Sequence, residues 1–378
     1  MMMRLSLLIC FIAGASADWT LQNEHVRLEI GQEGSSTVRI NFLGNTAPGS
    51  PTLIAAPDAV ELWEAQFATP AGLVKRSSAD ATAAHVYQPS ESELQVGWST
   101  SIVVDGASVL FSVDLTLSLA PHARTITVRA SVTNAATSTL RLGLWAFTLA
   151  VGGIAAADDD SAFYPNGFGV SVRGGLEGSN YYQQSPSGGA SMQFLAAGGA
   201  ASERGAGVYL GAHDGEAAYK ILSWAVTNST AETAAALRNG EGASAAMRNG
   251  SMDTMRTAGT AYGDGSNTCT PPLLRPTASM PSSRRYTRRF HTLAITTVVE
   301  GAGQPLSAWH SPYAFSIGVT PADGGPLWWG AAQLYRQWAV SVGESGHRTK
   351  LVHMPCPAPS TLPHLLTGCC VHGVHIYI

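Results

Sequence analysis

The sequence predicts an all-β protein, an antiparallel β-supersandwich followed by one helix. Three observations carry this. Period-two alternation of apolar and polar residues runs between turn signals from residue 18 to about residue 227. The strands so marked are too many for a single small sandwich, and no helical period separates them. Helical spacing occurs convincingly in one place only, near residues 326–342.

The elements follow in order. Arg4, an apolar run over residues 5–13 and the small residues Ala15-Ser16-Ala17 read as an export signal over residues 1–17, with the mature chain beginning near Asp18. The run is far short of the roughly 20 residues that span a bilayer, and an uncleaved anchor is the alternative. Short strands are expected at residues 26–30, 38–42, 62–67 and 94–98. The clearest strand interleaves Val109, Phe111, Val113, Leu115, Leu117 and Leu119 with Ser112, Asp114, Thr116 and Ser118. Pro121-His122 ends it, and Ile126, Val128, Ala130 and Val132 repeat the pattern. Residues 140–149 alternate first and then turn apolar on both faces, as in a strand passing from a sheet surface into a core. Further strands are expected at 207–212, 219–226, 291–300 and 313–319.

Residues 228–289 break the pattern. Ala, Gly, Ser, Thr, Met and Asn dominate, so the segment can bury too little to offset its ordering entropy, and a poorly ordered insertion in a sandwich spanning 18–319 is expected. After it, Pro326 suits a first turn, and Leu327, Ala331, Leu334, Tyr335, Trp338 and Val342 recur at helical spacing, giving a helix over 320–343. Residues 344–378 form an irregular tail. No Asp, Glu, Lys or Arg follows Lys350, and the composition reads as translated non-coding or out-of-frame sequence.

Composition narrows the function. Charged residues make up 13% of the chain and the net charge is −4, which argues against a nucleic-acid partner, since such binding needs clustered Lys and Arg. The one basic run, Arg284 to Arg289, reads as a solvated loop, with a processing site as the alternative. No long apolar stretch follows the signal, so no membrane partner is expected. The sequons at Asn228 and Asn249 fit export. Cys269, Cys356, Cys369 and Cys370 are too few for a disulfide scaffold. The Cys369-Cys370-x-His372-x-x-His375 cluster matches no usual zinc spacing. With no phosphate loop, nucleophile elbow or helical His-Glu-x-x-His, neither a cofactor nor a metal is expected.

Several segments, taken together, resemble glycoside-hydrolase-like proteins of unknown function, whose chains begin with a galactose-mutarotase-like supersandwich and continue into a TIM barrel. The segments are Trp19 to Ile30, the aromatic-Pro-x-Gly stretch around Phe163-Tyr164-Pro165-Asn166-Gly167, the strand end Gly207 to Asp214 with the Lys220 strand, and the helix around Ala332 to Ala339. The resemblance implies that the front domain and linker helix are present without the barrel that carries the catalytic acids. It also implies a carbohydrate partner, and a barrel that would pack on Trp328, Tyr335 and Trp338.

Glycosidic hydrolysis needs two carboxyl groups at a set separation. Glu64, Asp158 to Asp160, Asp214, Glu216, Glu300 and Asp323 are available, and nothing in the sequence pairs them. Asp158-Asp159-Asp160 reads as a solvated turn or a calcium loop. His213 and Asp214, at the end of a strand, are candidate sugar-binding residues. The resemblance to mutarotases implies a His acid with a Glu base, for which Glu300 or Glu216 would serve. The plainer reading has His213 and Asp214 capping the strand. Tyr164 and Asn166 are candidates for lining a sugar pocket, or mark a tight turn. Trp63, Trp98, Trp145 and Trp224 are expected in the core.

The expected function is a carbohydrate-associated accessory domain of a secreted glycoside-hydrolase-like protein, with no catalytic residue of its own. A free-standing aldose epimerase is the alternative and requires an open cleft at His213. A structural secreted sandwich is another, and requires that Tyr164, His213 and Asp214 do not converge.

Overall fold

The computed structural model describes residues 17–46, 50, 52–56, 61–104, 106–134, 143–156, 161–164, 170–173, 180–185, 192–198, 207–215, 218–229, 288–301, 303–304, 306–321 and 326–344. Strands β1 (Ala17–Gln22), β2 (Arg27–Glu33) and β3 (Thr37–Gly44) form a three-stranded sheet. A hairpin of β4 (Trp63–Thr69) and β5 (Gly72–Ser77) follows. Then comes a meander of β6 (Ala83–Ser90), β7 (Glu93–Val104), β8 (Ala107–Ser118) and β9 (Thr125–Asn134). Next are β10 (Gly143–Ala156), β11 (Ser161–Tyr164), β12 (Val170–Arg173), β13 (Asn180–Ser185), β14 (Phe194–Gly198) and β15 (Val208–His213). The chain closes with β16 (Lys220–Ser229), β17 (Arg288–Val298), β18 (Ala308–His310), β19 (Ala314–Val319) and helix α1 (Leu327–Glu344).

Two antiparallel sheets build the sandwich. The smaller runs β13-β16-β17-β10-β4-β5, and the larger runs β12-β11-β14-β15-β19-β9-β8-β7-β6, with β18 added to β9. Their apolar faces meet. Leu94, Val96 and Trp98 of β7 and Phe111, Val113 and Leu115 of β8 are buried against Trp63 and Phe67 of β4, Phe147 and Leu149 of β10, and Leu293 and Ile295 of β17. Trp63 and Trp98 meet edge-on with ring centroids 6.0 Å apart, and Phe67 lies 4.7 Å from Phe111. Each buried Val, Leu or Phe contributes roughly 1.5–3 kcal/mol relative to exposure. This alternating set is the driving force for the two-layer fold.

Gly153 occupies a bulge in β10 where residues 52–56 dock. Its φ is +67°, and a Cβ there would lie 2.0 Å from the carbonyl oxygen of Ala56. Ala55 donates its N–H to Gly153 at 2.8 Å. Gly153→Ala is therefore expected to destabilise the fold by on the order of 2 kcal/mol through combined φ strain and overlap. A thermal melt unchanged by the substitution would refute this account.

β16 and β17 pair as far as Ser229↔Arg288, so Asn228, Ser229, Arg288 and Arg289 at the ends of the segment expected at about 228–289 belong to strands. Residues 230–287 lie outside the described residues, as do 1–16 and 345–378. One expectation needs correction. Trp145 is not core: it sits at a β4–β10 register shift between Leu144 and Ala146, which turns it outward. It is 39% exposed.

Helix α1 lies on the outer face of the large sheet. Phe163, Phe194, Ala196 and Tyr209 project from β11, β14 and β15 away from the sandwich core. They receive Leu327, Ala331 and Leu334, at the i, i+4, i+7 spacing of one helical face. Tyr335 packs on Phe194 at 5.3 Å between centroids. A barrel packing on Trp328, Tyr335 and Trp338 therefore meets a divided set. Tyr335 and Trp338 are turned to the sandwich, whereas Trp328 and Trp329 are each 40% exposed.

Candidate functional site

Period-two alternation on β15 decides where the sequence candidates point. Val208, Leu210 and Ala212 face the sandwich core, while Tyr209 faces α1. His213 continues the helix-facing set, and Asp214, one residue on, turns inward. The two neighbours in sequence therefore work on opposite sides of one sheet.

His213 is held between strands and helix. Its Nε2 is 3.1 Å from the Tyr209 hydroxyl and its Nδ1 is 2.8 Å from Ser316 Oγ on β19. The Trp338 ring stacks over it at 4.9 Å, with the planes 13° apart. Burial lowers its pKa from 6.5 to about 4, since charging the ring here forfeits hydration that nothing replaces. The same surroundings push the Tyr335 phenol up to about 12, against a hydrogen bond with the Gln193 backbone.

Asp214 is buried and accepts from Lys220 Nζ at 2.5 Å and from the Ala218 N–H at 2.6 Å, both at Oδ2. Lys220, with no exposed surface, also donates to Gln193 Oε1 at 3.1 Å and lies 4.8 Å from the centre of the Tyr313 ring. Burial pulls the ammonium below its usual range, and Asp214 opposes that shift. Tyr313 in turn hydrogen-bonds Thr297 at 2.6 Å, and burial raises its phenol. Because Asp214 directly follows β15 of the large sheet and Lys220 begins β16 of the small one, the ion pair clamps the crossover between the two layers.

Tyr164 lies on the inner face of β11 and stacks with Trp224 at 6.4 Å, and Trp224 donates its indole N–H to buried His291 at 3.2 Å. Asn166 and Glu216 lie outside the described residues. Glu300 is exposed beyond the end of β17. The structure thus brings His213 to the helix, Asp214 to an interlayer ion pair and Tyr164 to the core, and does not converge them on one surface. Among the described residues, no three His, Cys, Asp or Glu side chains gather as a metal site. None of the described helices is long and apolar enough to cross a membrane. A small depression lined by Phe67, Phe111, Val132, Asn134, Leu144, Leu306 and Trp309 lies at the sandwich edge.

Sequence reasoning missed Lys220, Gln193, Tyr313 and Ser316 as partners. A lysine opening an otherwise apolar strand, six residues after an aspartate, was the signal available for the first.

No family model matches the chain. A Monosiga brevicollis protein named "Putative glycoside hydrolase 22789" is 28% identical over 200 residues, covering 53% of this chain and 11% of that relative. Among solved structures, the Lactobacillus brevis α-galactosidase shares 10% identity with a TM-score of 0.43, covering 81% of this chain and 40% of that one. A GH36 α-galactosidase from Geobacillus stearothermophilus shares 10% identity with a TM-score of 0.40, covering 80% and 40%. A doubly substituted form of that enzyme in complex with stachyose gives 10% and 0.42, covering 85% and 42%. The chain spans about a tenth of the length of its curated relative and less than half of these structures. By sequence, the chain is a homologue of a glycoside-hydrolase-like protein, in keeping with the resemblance carried by its motifs.

Proposed function

We propose that the described sandwich and helix form a non-catalytic, carbohydrate-associated module of a secreted glycoside-hydrolase-like protein. One observation carries the non-catalytic part. The candidate acid, His213, is engaged in structure, hydrogen-bonded at both ring nitrogens beneath Trp338, and its neighbour Asp214 is ion-paired to Lys220. General acid–base work needs a group within reach of a substrate proton and a pKa near the working pH, and His213 offers neither. The carbohydrate part is supported by the sequence relative. Secretion is supported by the reading of residues 1–17 as an export signal.

The experiment expresses the full chain in a secretory host and assays the released protein. Its N-terminus is expected at Asp18. Stachyose, the sugar bound in one structural neighbour, and an aryl α-galactoside are expected to remain uncleaved, with weak saturable binding of stachyose by calorimetry. Polarimetry of fresh α-galactose is expected to show no acceleration over buffer. Turnover of either glycoside would overturn the non-catalytic reading. Accelerated mutarotation that disappears in His213→Ala would replace it with the epimerase.

A further inference from the structure

Helix α1 is held to the large sheet in two ways. Leu327, Ala331 and Leu334 dock by apolar contact on the outer side chains of β11, β14 and β15. The next turn meets polar ground: Tyr335 hydrogen-bonds the Gln193 backbone, and Trp338 stacks on His213. These two footholds adjoin each other across the β14–β15 pair, because Ala212 donates its N–H to the Gln193 carbonyl at 2.7 Å.

Both footholds continue through the sheet. Met192 and Phe194 face the helix from either side of Gln193, whose amide turns inward. There Oε1 accepts from Lys220 Nζ at 3.1 Å, and Nε2 donates to the Asp214 carbonyl at 3.4 Å. His213 faces the helix, and Asp214, one residue on, pairs with Lys220 at 2.5 Å. The main chain at these two places is thus gripped by α1 from outside and by the interlayer ion pair from inside. Burial raises the Tyr335 phenol, and the Asp214 charge on the other side of the sheet adds to that rise.

We propose that the C-terminal half of α1 and the Asp214–Lys220 clamp form one conformational unit, joined through Gln193 and the end of β15. In one state the helix is docked and the clamp closed. In the other the last turns of the helix are lifted and the crossover between the sheets is loosened. Close-packed layers resist gradual deformation, so they pass between two such arrangements rather than bend. A partner that binds the docked helix tightens the clamp, and one that draws the helix away opens it. The size of either effect is the partner's difference in affinity for the two states. The dependence is reciprocal, so loosening the clamp frees the helix. The module thereby carries the condition of its helix into the packing of its two layers.

Hydrogen exchange of the full chain, read residue by residue, is the test. The reporter is the Ala218 N–H, which Asp214 Oδ2 accepts at 2.6 Å. The reference is the set of amides in β7 and β8, on the far side of the large sheet from α1. Tyr335→Phe removes one hydroxyl and Trp338→Leu removes the stack. Each is expected to speed exchange at Ala218 about ten-fold while the reference amides hold. Asp214→Leu with Lys220→Met is the reciprocal variant, expected to speed exchange over residues 338–342 by a similar factor. Gln193→Met keeps the main-chain contact to Tyr335 and loses the amide. In that background Tyr335→Phe is expected to change Ala218 exchange by less than about two-fold. Wild-type exchange at Ala218 in both helix variants, with faster exchange in the helix itself, overturns the coupling. Equal acceleration of reporter and reference overturns it too, since the variants then act only on global stability. An undiminished effect of Tyr335→Phe in Gln193→Met overturns Gln193 as the link.

Discussion

Asp214→Ala is expected to lower the melting temperature by on the order of 10 °C. The substitution leaves the Lys220 ammonium with no exposed surface and without its counterion, beside Gln193 and the face of Tyr313. Removing one partner of a buried ion pair costs about 3–5 kcal/mol, because the remaining charge stays desolvated. At about 2–4 °C per kcal/mol for a domain of this size, that cost gives the stated shift. The Ala218 N–H also loses its acceptor, which frees the crossover between the two sheets. Asp214→Leu combined with Lys220→Met is expected to recover most of the loss, since a buried pair exchanged for apolar groups of similar volume is often near neutral. Calorimetric melts of the wild type, Asp214→Ala and the double variant decide the matter. A single variant melting within about 2 °C of wild type would show that water reaches Lys220 and that the clamp is not buried in solution.

The fold was legible where one face of a strand is buried and the other is wet. The run from Val109 to Leu119 matches β8 nearly to the residue, because Val109, Phe111, Val113, Leu115 and Leu117 enter the interlayer core while Ser112, Asp114, Thr116 and Ser118 between them face outward. The helix was equally legible, since Leu327, Ala331 and Leu334 share one face. Strands β5, β12 and β13 were not. β5 is an edge strand whose residues are mostly exposed or half-buried, so GLVKRS shows no alternation. β14 was missed for the opposite reason: FLAAG is buried on both faces, between the core and α1, which erases the period.

The site was legible in its residues and not in its geometry. His213 and Asp214 stood out because two ionisable groups close a strongly apolar strand. Their adjacency suggested joint action, and strand alternation forbids it, sending one side chain to the helix and the other between the sheets. The true partners lie far along the chain: Ser316 is 103 residues from His213, and Gln193 is 27 from Lys220. Only sheet pairing brings them together.

Acidification from pH 7 is expected to weaken the fold through His213, and the sign follows from its surroundings. The folded pKa of about 4 lies below the ordinary 6.5, so the unfolded chain takes up the proton first. The stability associated with neutral His213 is complete above pH 6.5 and is lost progressively as the pH falls to about 4, a total of about 3 kcal/mol. The groups facing the ring are the Tyr209 and Ser316 hydroxyls from the strands and Trp338 from the helix, with no carboxylate among them to stabilise an imidazolium. Thermal melts of the wild type and His213→Gln across pH 7 to 4.5 isolate the effect, because Glu24, Glu61 and every other titrating group is common to both. The wild-type profile is expected to fall more steeply with acid, and the two to converge near pH 4.5. Parallel profiles would place the folded pKa of His213 near its ordinary value, which requires a hydrated ring. A hydrated ring means that Trp338 does not cover it in solution, and the cleft that an epimerase requires would then be open.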